Sequence, residues 1–305
     1  MEHVTTHDAR IPMIGLGTWR MRGEECRRAV EDALATDYRH IDTADHYNNQ
    51  RAVGAGIAAS DVDREDIFLT TKVAGDDLRY DDFRESVDRC LADLGVEYLD
   101  LLLVHWPDDR VPIEETMKAM NDAQDEGLVC HAGVSQFSVP NLHGAIEASE
   151  TPIIANQLEY HPYFRQTKFR QETVNTDVDL FEFCRDHDVL ITANSPLGVG
   201  EVLTDETIRM IGQRHGKSPA QVVLRWHLQQ GICAIPKASN RRHRAQNTDV
   251  FDFELTDEEM AAMSSLKGPL QYYLFRETGP VDRIQRCLRN LPKNAYVLGR
   301  SALSR

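Results

Sequence analysis

The 305-residue sequence has no run approaching the roughly 18 consecutive apolar residues of a membrane span, so an integral membrane protein is not expected. Its first residues, Met1-Glu2-His3-Val4-Thr5-Thr6-His7-Asp8, lack the apolar segment of a secretory signal, and a cytoplasmic location is the expectation. The six cysteines (Cys26, Cys90, Cys130, Cys184, Cys233 and Cys287) are scattered, without a Cys-x-x-Cys pair or metal-type spacing. Reduced, mostly buried thiols are therefore expected, with neither a disulfide framework nor a metal site. Basic residues are scarce: 34 against 49 acidic ones give a net charge of −15, with arginine well ahead of lysine. Such a surface repels nucleic acid and anionic membranes, so neither is expected as a partner. No Gly-x-Gly-x-x-Gly follows any strand-like run, no low-complexity linker divides the chain, and no repeat is seen beyond a strand–helix unit.

What the sequence does contain is a long alternation of strand-like and helix-like runs, with 41% hydrophobic residues to build a core. Strands are expected at Ile11–Gly17, Arg39–Ala44, Ile67–Val73, Tyr98–His105, Cys130–Phe137, Ile153–Tyr160, Val189–Leu197 and Ile232–Ala238. The run Leu99-Asp100-Leu101-Leu102-Leu103-Val104 has the near-continuous apolar character of a strand buried on both faces. Helices are expected at Glu24–Thr36, Gln50–Ala59, Asp81–Leu94, Ile113–Glu126, Leu142–Ser149, Asp177–His187, Glu206–His215, Pro219–Gln230 and Arg241–Thr248. Eight strands, each followed by a helix after a short connection, argue for a single-domain α/β fold, the (β/α)8 TIM barrel, over residues 1–267. A doubly wound open sheet is the alternative. From Gly268 the alternation stops, and 268–305 is read as a C-terminal extension rich in arginine.

In a parallel barrel, chemistry gathers where strands end. The stretch Arg39–Asn49 runs from an apolar strand into Asp42 and then, five residues later, Tyr47. The next two strands end in Lys72 and His105. Lys72 closes an otherwise core-like strand, so it needs an anionic partner or a lowered pKa, and Asp42 on the adjacent strand can be that partner. A purely structural ion pair satisfies the same pattern. Read functionally, an ammonium beside a phenol makes Tyr47 usable as an acid, and His105 can hydrogen-bond a polar substrate atom.

These residues lie within a longer series of ordered matches. The series runs through Ile11–Trp19, Tyr38–Ala44 with Tyr47 and Asn49, Leu99–Pro107, Gly133-Val134-Ser135 and Asn156–Pro162. It continues through Ser195-Pro196-Leu197-Gly198, Gln221–Trp226, Ile235-Pro236-Lys237 and Phe251–Leu255. Over about residues 10–265 the sequence resembles an aldo-keto reductase, of the 2,5-diketogluconate reductase or aldehyde reductase type. The resemblance implies carbonyl reduction by hydride from NADP (NADPH), with NAD as an alternative, and without a metal. It makes Tyr47 the proton donor, Lys72 and Asp42 its support, and His105 the group that orients the carbonyl. Trp19 and Trp106 would wall the pocket, and a monomer is the default.

For the cofactor, the resemblance implies Gly17, Thr18, Trp19 and Asp42 along one edge, with Ser135, Gln136 and Gln157 on the nicotinamide carboxamide. Asn194 would lie where the family stacks a ring on the nicotinamide, and Ser195, Leu197 and Gly198 would follow the pyrophosphate. Lys237, Ala238, Ser239, His243 and Arg244 would meet a 2′-phosphate, and Gln246 and Asn247 the adenine. The basic run Lys237–Arg244 supports this independently, since it follows a strand and opens a helix, where anions bind favourably. A solvated helix face is the alternative reading of the run. Several positions depart from the family pattern: Asn194 in place of a stacking tyrosine, Gln136 for asparagine, Gln50 for glutamate, Ala238 for serine and His243 for arginine. Loss of the stacked ring costs about 1 kcal/mol. Two other functions share the fold: a Schiff-base aldolase using Lys72 or Lys237, and a dinucleotide-binding regulator without turnover.

Overall fold

The structure is a computed structural model, described over residues 1–165 and 179–268. Met1–Ser265 forms one compact unit; a second begins at Leu266, of which residues 266–268 are described. The chain opens with an antiparallel hairpin, β1 (His3–Thr6) and β2 (Ala9–Pro12), that the sequence reading did not foresee. The expected first strand, Ile11–Gly17, is in fact divided. Its beginning belongs to β2, Leu16–Gly17 (β3) pairs within the main sheet, and Ile14 makes a single bridge to Ala234. Pro12, which has no N–H to donate, ends the hairpin.

The main sheet continues through β4 (His40–Asp42), β5 (Phe68–Val73), β6 (Leu99–Val104), β7 (Val129–Ser135) and β8 (Ile153–His161). A short β9 (Phe164–Arg165) folds back antiparallel on β8. The parallel sheet then resumes with β10 (Leu190–Asn194) and β11 (Cys233–Ala234), giving eight parallel strands in sequential order. The first and last are joined as well: Ala234 N donates to the Met13 carbonyl and Gly15 N to the Ala234 carbonyl, both at 2.9 Å. These bonds curl the sheet back onto its first strand. The expected eighth strand, Ile232–Ala238, is reduced to two residues.

Helices follow the strands, as α1 (Gly23–Leu34), α2 (Gln50–Ala58), α3 (Tyr80–Leu94), α4 (Ile113–Asp125), α5 (Val139–Ala148), α6 (Leu180–Asp186), α7 (Glu206–His215), α8 (Pro219–Leu228) and α9 (Arg241–Thr248). A tenth helix, α10 (Asp257–Ser265), was not anticipated. The first residues of the expected helix Asp177–His187, and the extension beyond Gly268, lie outside the described residues.

Helices α1 to α8 each bury apolar residues. In α3 the buried residues Phe83, Val87, Cys90, Leu91 and Leu94 recur at helical spacing. The α8 helix is held at its start by a reciprocal cap, in which Ser218 and Gln221 each satisfy the other's backbone. Inside the sheet, Ala9 and Ile11 of the hairpin cluster with Phe68, Leu101, Leu103, Ile154, Leu190 and Cys233. Phe68, Leu190 and Cys233 begin their strands, so the hairpin covers the end at which the strands start. The opposite end, where the strands finish, is left for chemistry.

Candidate active site

Side chains alternate along a strand, so Thr70 and Lys72 of β5 share a face. Asp42, the last residue of β4, lies in register with Thr70, which places Lys72 one step further along and diagonally across from it. The two charges meet at 2.6 Å, fully buried, and Lys72 Nζ also donates to the Thr43 carbonyl at 2.8 Å. Asp42's second oxygen accepts from Gln157 Nε2 at 2.8 Å. The ammonium's remaining neighbour is the Tyr47 hydroxyl, 3.5 Å away.

Tyr47 sits on a short 3-10 turn, Asp45–Tyr47, that is pinned at both ends. Asp45 is held by Arg89 of α3 at 2.7 Å. Beyond the turn, Asn49 Nδ2 donates to the Thr18 and Met21 carbonyls, while its Oδ1 accepts from Thr43. Asn49 thereby clamps the loop after β3 to the loop after β4, beside Trp19, which is 41% exposed at the rim.

Across from Tyr47, with ring centroids 5.7 Å apart, stands His105, the residue after β6. Its Nδ1 is buried with no hydrogen-bond partner among the described residues. Trp106 packs against it at 4.4 Å and lies directly over Gly75, where a Cβ would fall 2.0 Å from the indole Nε1. Only glycine permits that approach. The sequence gives no sign of this contact, since nothing pairs residue 75 with residue 106 before the fold is known.

Burial and charge set the protonation states. Burial pushes the Tyr47 phenol above its ordinary value; the Lys72 ammonium pulls it down without overcoming burial and Asp42. The family resemblance implies that Lys72 lowers the phenol's pKa; its pull is present, but the net direction is upward. Burial works against the charge on Lys72, yet Asp42 and Tyr47 together hold its pKa above the usual lysine value. A protonated lysine has no lone pair with which to attack a carbonyl, which removes the chemical basis of a Schiff base at Lys72. His105 is driven down to about 3, first by burial and then by Lys72 and His46, and is neutral at physiological pH. The site thus presents a neutral phenol and a neutral imidazole facing one another, with a buried cation behind the phenol.

The sequence model of the Aldo/keto reductase family matches residues 13–267. The chain belongs to the aldo/keto reductase family. A 9,11-endoperoxide prostaglandin H2 reductase of Trypanosoma cruzi is 41% identical over 268 residues, 86% of this chain and 90% of that protein. A glyoxal reductase of Bacillus subtilis is 35% identical over 257 residues, covering 84% and 89%. Among solved structures, an aldose reductase of Schistosoma japonicum superposes with a TM-score of 0.81 at 32% identity, covering 93% of this chain and 98% of that one. The protein is an oxidoreductase, and carbonyl reduction with a nicotinamide cofactor is this family's chemistry.

The reductase's other sequence-selected residues lie around the same strand ends. Gly17 passes so close to the neighbouring strand that a Cβ would meet the Ile235 carbonyl at 2.5 Å. Thr18 is buried, its hydroxyl donating to the Asp42 carbonyl at 3.0 Å. Ser135 is buried at the end of β7 in register with the buried Gln157 of β8, and Gln136, the next residue after β7, is left-handed (φ 62°). Asn194, Ser195 and Leu197 are partly exposed where β10 ends, with Gly198 buried after them.

The basic run divides in two. Lys237, Ser239, Arg241, Arg242 and His243 are exposed around the start of α9, where Asn240 caps the helix. Arg244 is buried instead: its guanidinium pairs with Asp32 of α1 (Nε at 3.2 Å) and donates to the Ala238 carbonyl at 2.9 Å. Ala238 and Asn247 are buried and Gln246 is partly exposed. Gln157's bond to Asp42, Asn49's clamp and Gly75 are features for which the sequence reading assigned no role. Asn49 did fall within a matched motif, which was the one available signal.

Proposed function

We propose that this enzyme is an NADPH-dependent reductase of aldehydes and small ketones, in which Tyr47 donates the proton and His105 orients the carbonyl. The observation that carries this reading is the line from Asp42 through Lys72 to the Tyr47 hydroxyl, ending opposite a neutral His105. A carbonyl oxygen seated between phenol and imidazole accepts two hydrogen bonds. Tyr47 is the member of that pair that can also give up its proton, because His105 holds no second one. As negative charge grows on the oxygen, the phenol's proton moves to it, and Lys72 stabilises the phenolate left behind.

The donor set fits a nicotinamide dinucleotide, which supplies hydride when bound. Gln157 commits its amide nitrogen to Asp42, and its amide oxygen is the atom a carboxamide N–H requires; Ser135 stands on the adjacent strand. The narrow passage at Gly17 keeps the strand edge bare of side chains. The exposed cations Lys237, Arg241 and Arg242 at the start of α9 are the groups for a 2′-phosphate in an otherwise acidic chain, which favours NADPH over NADH. Arg244 then serves by anchoring α9 to α1, not by touching the phosphate. The relatives' names, glyoxal reductase among them, support small aldehydes and dicarbonyls as substrates. We further read the enzyme as a cytoplasmic monomer, with residues 1–267 as the catalytic domain and 268–305 as an extension.

The test is carbonyl-dependent oxidation of NADPH and NADH over a panel of small aldehydes, for the wild type and Tyr47→Phe. We expect NADPH to be preferred and Tyr47→Phe to lose activity by at least about 100-fold, the usual worth of a positioned acid, with an unchanged melting temperature. Full activity in Tyr47→Phe would overturn the assignment of the acid.

A further inference from the structure

We infer that His46 selects substrates, favouring carbonyl compounds that carry a carboxylate a few bonds from the reacting carbon; this rests on the reductase reading above. His46 is exposed on the same turn as Tyr47. Its ring meets Trp106 edge-on, with centroids 5.6 Å apart and an interplanar angle of 87°, and stands 6.5 Å from His105. The imidazole therefore borders the space in which a carbonyl would lie between Tyr47 and His105.

The surrounding charges leave His46 as the group open to an anion. On its own turn, Asp45 is taken by Arg89 of α3. Arg89 also holds Asp77 of the turn after β5, at 3.1 Å. In that same turn Asp76 lies 3.7 Å from Arg110, which pairs principally with Asp108. Beneath the phenol, Lys72 and Asp42 are buried and committed to each other. His105, after β6, is neutral. Among the described residues no carboxylate pairs with His46, and neither of its ring nitrogens has a hydrogen-bond partner. A substrate carboxylate there gains an N–H partner.

The experiment compares kcat/KM for 4-oxobutanoate and butanal, which differ only in a terminal carboxylate in place of a methyl group, with saturating NADPH at constant ionic strength. We expect the ratio to favour 4-oxobutanoate by about threefold or more in the wild type. His46→Leu should bring the ratio toward unity, chiefly by raising KM for 4-oxobutanoate, and His46→Arg should keep it high. A wild type that does not favour 4-oxobutanoate, or a ratio that His46→Leu leaves unchanged, overturns the inference while leaving the reductase intact. If the wild type reduces neither aldehyde, nor any in the wider panel, it is the reductase reading that fails.

Discussion

Replacing Lys72 with methionine keeps the side chain's length and removes its charge, leaving Asp42 buried without a cation. Breaking a buried ion pair from one side costs about 3–5 kcal/mol, because the surviving charge has lost its compensation. Here Gln157 still donates to Asp42 at 2.8 Å, which offsets part of the loss and places the expectation at the lower end, about 3 kcal/mol. For a domain of this size that corresponds to a fall of roughly 6–12 °C in melting temperature.

The cost should be specific to the orphaned charge. Lys72→Met combined with Asp42→Asn removes both charges, keeps an acceptor for Gln157, and should recover more than half of the lost stability. Lowering the pH should also narrow the gap between Lys72→Met and wild type. An unpaired buried carboxylate has a raised folded-state pKa, so the folded variant takes up a proton that relieves it. The assay is urea denaturation followed by circular dichroism, for the two single variants and the double at pH 8 and pH 5.5. A double variant no more stable than Lys72→Met, or a single-variant loss below about 1 kcal/mol, would refute the reasoning.

Acid stability should be governed partly by His40 and His227, both fully buried and driven down to about 4 mainly by burial. Their folded pKa lies below the unfolded value, so the stability they contribute is complete above about pH 6.5 and falls as pH drops toward 4. The loss amounts to roughly 3 kcal/mol for each histidine. Melting temperature measured from pH 7 to pH 4.5 should show this decline, and a flat profile would contradict it. A second perturbation concerns Gly75: Gly75→Ala sets a Cβ against the Trp106 indole at 2.0 Å and must displace the ring. On the reading that Trp106 walls the substrate pocket, we expect KM for aldehydes to rise several-fold at nearly constant melting temperature; an unchanged KM would separate Trp106 from the substrate.

The parts of this fold that sequence reveals are those governed by neighbour rules. Successive parallel strands joined by helices lie side by side, so Asp42 and Lys72, at the ends of consecutive strands, could be paired before any coordinates existed. Gln157 could not be joined to Asp42 in the same way, since it approaches across the interior from 115 residues away. The hairpin was hidden because Ile11–Gly17 is apolar throughout, and an apolar run does not show where one strand ends and another begins. The basic run did not reveal that Arg244 is buried, for a related reason. Charge density locates an anion site but does not say which arginine faces out, and Asp32, which turns Arg244 inward, lies 212 residues earlier.

The distribution of burial assigns different tasks to groups that sequence treats alike. Lys72 and His105 both end strands and both could carry a proton. Lys72 meets a carboxylate at 2.6 Å and stays charged, whereas His105 meets no acid, is driven down to about 3 and is neutral at physiological pH. A fixed cation behind the phenol and a neutral imidazole before it leave the Tyr47 proton as the one that can travel at physiological pH. Exchanging the two environments would reverse the roles: a protonated His105 would compete as the acid, and a neutral Lys72 would leave the phenolate unsupported. The expensive buried pair is thus tied to proton donation by Tyr47, and stability and turnover should separate when it is dismantled. The double variant that regains stability has lost the ammonium, and its reductase activity should stay as low as that of Lys72→Met.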